Sequence, residues 1–263
     1  MKRIFIAIIF CALLISAIAH EYILIAYKYK LNMGDTLEMH LFVADGFNVE
    51  LEKPMQTAIT KKFELITENG TENLLAITKN NALPILNKKV DFEGLGLLNM
   101  ERDYARISLP TDKFLDYLKE DHIENIKNVL SQPLQRERYT RYIKALVKSG
   151  DTNSDTLYKT ITGQKLEIIL LNNPYILRVG KVLKAQMLFN GLPLKNIIIT
   201  ARNRTGSEAA SASTSRTDNN GICSFKLIRK GVWFLHATYM IPCPDKEDSD
   251  WESFWASYSF AIE

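Results

Sequence analysis

The chain has almost no excess charge. Its 33 Lys and Arg against 30 Asp and Glu leave a formal +3, which gives no reason to expect nucleic acid or an anionic membrane as partner. Cysteine is scarce, with Cys11, Cys223 and Cys243 the complete set. A glycine-rich phosphate loop, a GxSxG elbow, an HExxH helix and a CxxC pair are all absent. Nothing in the order of residues places Ser, His and Asp side chains together, so the sequence predicts no enzyme. There is no low-complexity tract, no internal repeat and no alternating strand–helix–strand pattern. Long apolar runs are missing too, with one exception at the start.

That exception reads as a signal peptide. Lys2 and Arg3 form a positive start, Ile4 to Ile15 is apolar, and Ala17-Ile18-Ala19 gives the small-x-small pattern of a cleavage site. The run is too short, and too soon followed by Glu21 and Lys28, for a membrane span. Cys11 sits inside the apolar run after Phe10, which is no lipid-attachment pattern, and it leaves with the peptide. Removing residues 1–19 takes Lys2 and Arg3 away and leaves 31 basic against 30 acidic residues. It also makes His20 the first residue, where one amino acid offers an α-amine and an imidazole to the same metal ion. Cys223 and Cys243 then remain as a possible disulfide in an oxidising compartment. In a simple hairpin over 223–240 they would not lie opposite, so a free pair is equally open.

Residues 20–150 read as a β-rich domain that ends in helices. Tyr22–Tyr29, Thr36–Val43 and Tyr104–Leu109 have strand character. Lys62–Thr67 and Leu74–Thr78 flank Asn69-Gly70, a strong hairpin signal. Thr111 is the expected N-cap of a helix that carries Phe114, Leu115, Leu118, Ile123, Ile126 and Leu130 at helical spacing. After Pro133 the spacing predicts a second helix over 135–147. Arg138, Arg141, Lys144 and Lys148 would lie along its outer face, with Tyr139, Tyr142 and Leu146 inward. That basic face is a solvated surface, a clamp of salt bridges, or a docking site for a partner. The polar stretch 148–154 marks the expected domain boundary. Residues 151–263 then read as all-β, with strands at 166–170, 182–189, 197–202, 222–228, 232–239 and 254–262 and Asn/Gly/Pro turns between them. This spacing predicts a β-sandwich.

Four histidines are the candidate ligands. His20 is the strongest. His40 lies on a strand with one apolar face, which suits a packed His or a ligand. His122 follows Lys119-Glu120-Asp121 at a helix end, where a histidine suits the dipole alone. If Trp233 and Leu235 face the core, His236 faces the other way, toward solvent or a metal. Two imidazoles and an N-terminal amine suit nickel or copper. The acidic run 245–250 does not have the spacing of an EF-hand loop and reads as a hydrated loop before the last strand.

Several pieces occur together and in order: Ala19-His20-Glu21, Arg138-Tyr139-Thr140-Arg141-Tyr142-Ile143-Lys144-Ala145, Asn190-Gly191-Leu192-Pro193-Leu194, Thr217-Asp218-Asn219-Asn220-Gly221, Gly231-Val232-Trp233 and Asp250-Trp251-Glu252-Ser253-Phe254-Trp255. In these the chain resembles an exported domain-of-unknown-function family described as a periplasmic component of cobalt/nickel uptake systems. The resemblance spans nearly the whole chain after residue 19. It implies a mainly β fold of two immunoglobulin- or transthyretin-like sandwiches with a helical insertion between them. It implies export to the bacterial envelope and a transport component of the membrane as partner, with no membrane insertion of its own. The implied cargo is nickel or cobalt, and the implied ligands are His20 and Glu21 with His236 or His40. After Gly-x-Trp the family often has a His where this chain has Tyr239, and His236 comes three residues earlier. A shift of three reverses the strand face. Two other functions stay open: a metal-free interaction or scaffold module of the envelope, and a copper-binding protein that uses an N-terminal His.

Overall fold

The computed structural model describes residues 21–127, 131–151 and 156–263. The expected signal-peptide segment, His20 and part of the expected linker lie outside the described residues. In order, the strands are β1 (Glu21–Ala26), β2 (Lys30–Leu31), β3 (Thr36–Asp45), β4 (Asn48–Lys53), β5 (Thr60–Thr67), β6 (Gly70–Asn73), β7 (Leu86–Lys89), β8 (Gly94–Arg102) and β9 (Ala105–Pro110), followed by helix α1 (Thr111–Glu120). After it come β10 (Leu134–Ser149), β11 (Leu166–Leu170), β12 (Val182–Phe189), β13 (Leu192–Pro193), β14 (Ile198–Arg204), β15 (Ser211–Arg216), β16 (Ile222–Lys226), β17 (Gly231–Pro242) and β18 (Trp251–Ile262).

These strands make three sheets, and the fold is mainly β, as expected. The ten-stranded sheet runs β15-β14-β17-β18-β10-β8-β5-β6, with β2 and β9 also on β10. One four-stranded sheet holds β1, β3, β4 and β7, and the other holds β11, β12, β13 and β16. Successive side chains of a strand point to opposite faces, and β10 uses both. Ile143, Ala145 and Val147 join Leu24, Leu37 and Leu41 of the first sheet. Tyr142 and Leu146 join Ile168, Leu183 and Phe225 of the third. The large sheet is therefore the shared middle layer of two sandwiches. The division expected at residue 150 falls just past β10, and the middle sheet takes strands from both sides of it. β10 and β18 pair in parallel from Glu137 with Trp251 to Ala145 with Ser259.

The second helix expected over 135–147 is strand β10 instead. Its Tyr-Thr-Arg-Tyr-Ile run favours a pleated surface, and burial on both faces removes the period-2 signal a half-exposed strand would show. The basic helix face disappears with it. Arg138 and Lys144 share one face of the strand and Arg141 takes the other. Arg138 pairs with Asp248 and Glu252 at 3.1 and 3.0 Å. Lys144 is buried against Glu167 at 2.5 Å. Helix α1 does begin at Thr111, but Pro110 takes the cap position with no side-chain cap. The Thr111 hydroxyl donates to the Gln132 carbonyl instead. Cys223 and Cys243 do not form the disulfide: both are free, buried thiols. Cys223 faces the core between the middle and third sheets, whereas Cys243 follows the far end of β17, its N–H on the Asp250 carbonyl.

Candidate functional site

The site lies where β1 begins, on the face of the middle sheet that the first sheet and α1 share. β1 is held there by β18: the Ser257 hydroxyl donates to the Tyr22 carbonyl at 2.7 Å, and Ser259 donates to Leu24. On the other side α1 packs Phe114 and Tyr117 against Trp251 and Trp255, with stacked rings 5.7 and 5.8 Å apart. Between them the sheet carries two cross-strand rows. Thr200, His236 and Ser257 pair across β14, β17 and β18. Thr238, Trp255 and Arg141 pair across β17, β18 and β10.

Glu21 and His236 meet in this seam, with Oε1 3.4 Å from Nδ1. Both are buried. Burial first, then the charges of Arg202, Arg141 and His122, pushes His236 down to about 3, so its imidazole is neutral at physiological pH. Burial raises the Glu21 carboxyl above its ordinary range, against the pull of Arg202. Arg202 Nε donates to Glu21 Oε1 at 3.3 Å and the Gly46 N–H donates to Oε2 at 3.0 Å. Gly46 must be glycine here: its φ is +63°, and a Cβ would lie 2.8 Å from Arg202 Nη1.

The end of α1 supplies the opposite wall. The Thr238 hydroxyl lies 3.2 Å from Asp121 Oδ2 and 3.5 Å from His236 Nε2. Lost hydration first, and then the negative charge of Glu21, raises Asp121 well above its ordinary range. His122 follows in the left-handed region at φ 55°. Glu21, Asp121, His122, Thr200, Arg202 and His236 line a pocket of about 160 Å³. Two carboxylates whose charge is poorly solvated and a neutral imidazole thus share the pocket with the Arg202 guanidinium. The C-terminal end of α1, the negative end of its dipole, adds to the same field.

His236 faces away from Trp233 and Leu235, as the strand alternation requires. Tyr239, three residues on, is on the opposite face and packs on Phe189 at 4.8 Å. His40 is not brought to the pair. It pairs with Ile25, four residues along β1 from Glu21, or about 13 Å at strand rise. Its ring nitrogens are taken by Glu52 at 2.6 Å and Glu38 at 3.0 Å. Asp121, Thr238, Arg202 and Gly46 carried no functional signal in the sequence, and His122 was legible only as a helix-end residue. Among the described residues, no three His, Cys, Asp or Glu side chains stand together as a metal-holding group. The acidic run 245–250 is consumed by arginines, Arg106 and Arg138 on Asp248 and Arg136 on Asp250.

A third acid lies deeper under α1. Glu137 accepts from the Tyr117 hydroxyl at 3.0 Å and from Ser253. Burial pushes its carboxyl up from 4.5 to about 7, against these hydrogen bonds. Between those pH values the folded state holds a proton that the unfolded chain has lost, so stability falls as pH rises through this window. The size is about 3 kcal/mol. Thermal melts at about pH 5 and about pH 8 should show the stability gap between the protein and Glu137→Gln moving toward Gln by that amount. An unchanged gap would contradict the assignment.

A family model described as "Domain of unknown function (DUF4198)" matches residues 17–241. No curated protein matches the chain. A solved structure titled "D0-D1 domain of Intimin" is similar at 12% identity, covering 90% of this chain and 96% of that one with a TM-score of 0.23.

Proposed function

The chain belongs to the DUF4198 family, and we propose that it is an exported, non-enzymatic binding protein for a divalent transition metal, nickel or cobalt, captured at the Glu21–His236 pair for a membrane uptake component. The observation that carries the reading is the 3.4 Å contact between these two side chains, one peptide bond away from His20. Trans peptide geometry keeps consecutive Cα atoms about 3.8 Å apart. In a chain that begins at His20, the free amine and its imidazole belong to the residue next to Glu21 in sequence. Two donors from the described residues and two from His20 make a nitrogen-rich set of four, which suits late first-row metals. The reading includes export, because it is cleavage after Ala19 that would free the amine. No helix among the described residues is long and apolar enough to cross a membrane.

Ligand protons must leave on binding, so affinity falls below about pH 6, where an ordinary imidazole is protonated. The test is calorimetric titration of mature protein, its His20 start verified by mass, with nickel, cobalt, zinc and copper. Copper is included as the strongest competitor in the Irving–Williams order. Sub-micromolar binding that His20→Ala abolishes supports the reading. Binding indifferent to His20, or none, rejects it.

A further inference from the structure

We propose that the outer face of the third sheet docks the protein on an anionic lipid surface. The proposal does not depend on the metal reading. Docking there leaves the seam free, because the seam lies on the opposite side of the middle sheet.

The near-neutral total charge hides an uneven distribution. Residues 168–207 and 219–244 hold nine Lys and Arg and no Asp or Glu. These two segments include β12, β13 and β16, three of the four strands of the third sheet. Three of the nine cations are engaged elsewhere: Arg202 pairs with Glu21 and Arg229 with Glu208, each at 3.3 Å, and Arg204 lies over the Phe47 ring. The other six are exposed and, among the described residues, form no ion pair.

Strand register puts two of the six on the outer face. Leu183, Ala185, Cys223 and Phe225 point into the core, so their neighbours Val182, Lys184, Ser224 and Lys226 point outward. Val182 pairs with Lys226, and Lys184 with Ser224. Lys184 and Lys226 are therefore diagonal neighbours, about 7–8 Å apart at the backbone. The pairing continues past β16, with the Leu227 N–H on the Lys181 carbonyl and the Gly180 N–H on the Leu227 carbonyl. Arg178 and Lys181 thus border the same end of the sheet. Between these cations stand apolar side chains left in water: Val182 is 47% exposed, Ile228 54% and Val179 44%. Unpaired cations interleaved with exposed apolar groups are what a headgroup layer accepts, the charges at its surface and the apolar groups below. Lysines carry their charge on flexible stems, and no neighbour fixes Lys184 or Lys226 in a set geometry. The face is thus suited to a fluid layer of anionic headgroups rather than to one shaped anion.

The experiment is co-sedimentation of mature protein, with no metal added, on vesicles of phosphatidylcholine alone and of phosphatidylcholine mixed with phosphatidylglycerol. The expected result is binding to the mixed vesicles only, weakening as salt rises. Lys184→Gln/Lys226→Gln should lower the partition coefficient about 30-fold. Val182→Ser/Ile228→Ser keeps every charge and should lower it about tenfold. Lys113→Gln/Lys119→Gln removes the same charge from exposed positions of α1 and should leave binding unchanged. No binding to the mixed vesicles at low salt overturns the proposal, as does an equal loss in the two lysine variants. Retention of soluble polyglutamate through Lys184 and Lys226, with no binding to vesicles, gives this face to an acidic protein and overturns the lipid assignment.

Discussion

Lys144→Ala lowers the stability of the fold by about 3–5 kcal/mol. Lys144 and Glu167 are each 1% exposed and 2.5 Å apart between the middle and third sheets. The ammonium also donates to the Ile168 carbonyl at 3.3 Å and the Thr160 carbonyl at 3.4 Å. Glu167 accepts in addition from Thr162 N at 2.6 Å, the Thr162 hydroxyl at 2.8 Å and Gly163 N at 3.1 Å. Burial pushes the Lys144 amine down to about 8 although Glu167 pulls the other way, so desolvation outweighs attraction at this site. Removing the cation leaves a buried carboxylate with only neutral donors, and that uncompensated charge is the main cost. The double variant Lys144→Met/Glu167→Leu removes both charges and should recover most of the loss. Denaturant unfolding of the three proteins checks this. A single variant within about 1 kcal/mol of the parent, or a double variant as weak as the single, would contradict it.

His236→Gln lowers nickel affinity by at least about 100-fold, equivalent to about 2.7 kcal/mol. It replaces the neutral imidazole that faces Glu21 with an amide, a poor ligand for a late transition metal. Glu21→Gln should cost less, about tenfold, because its carboxylate is already partly neutralised by Arg202 at 3.3 Å. His40→Gln should leave the affinity unchanged, since both His40 nitrogens are engaged by Glu38 and Glu52. Calorimetry on the three variants separates the proposed ligands from a histidine that merely shares the sheet of Glu21. Equal losses at His40 and His236 would place the metal elsewhere.

How much of this was legible depended on how each strand meets solvent. β11 and β12 coincide with the expected 166–170 and 182–189, because turn residues bound each segment. The Asn69-Gly70 turn is also where the sequence placed it, but the strand after it is β6, Gly70–Asn73, and the expected strand Leu74–Thr78 begins instead as a 3-10 turn over Leu74–Ala76. β8 escaped, since Gly94–Met100 is buried on both faces and shows no alternation. β15 is Ser-Ala-Ser-Thr-Ser-Arg and owes its place to pairing with β14 rather than to any apolar pattern. β10 was misread because steps of three residues between Arg138, Arg141 and Lys144 fit a helix face as well as alternate strand faces. At the site, Glu21 and His236 were legible one by one. Their meeting was not, nor the parts of Arg202, Asp121 and Thr238, since these residues lie 100 to 217 positions along the chain from Glu21 and meet it only once β1 and α1 pack on the middle sheet.

The measurement closest to the central claim is anomalous diffraction at the nickel edge from crystals of mature protein grown with nickel. A single strong peak about 2.0–2.2 Å from His236 Nδ1 and a Glu21 oxygen, with the His20 amine and imidazole completing the shell, is the predicted result. A peak at His40, at the acidic run 245–250, or at no protein atom would contradict it.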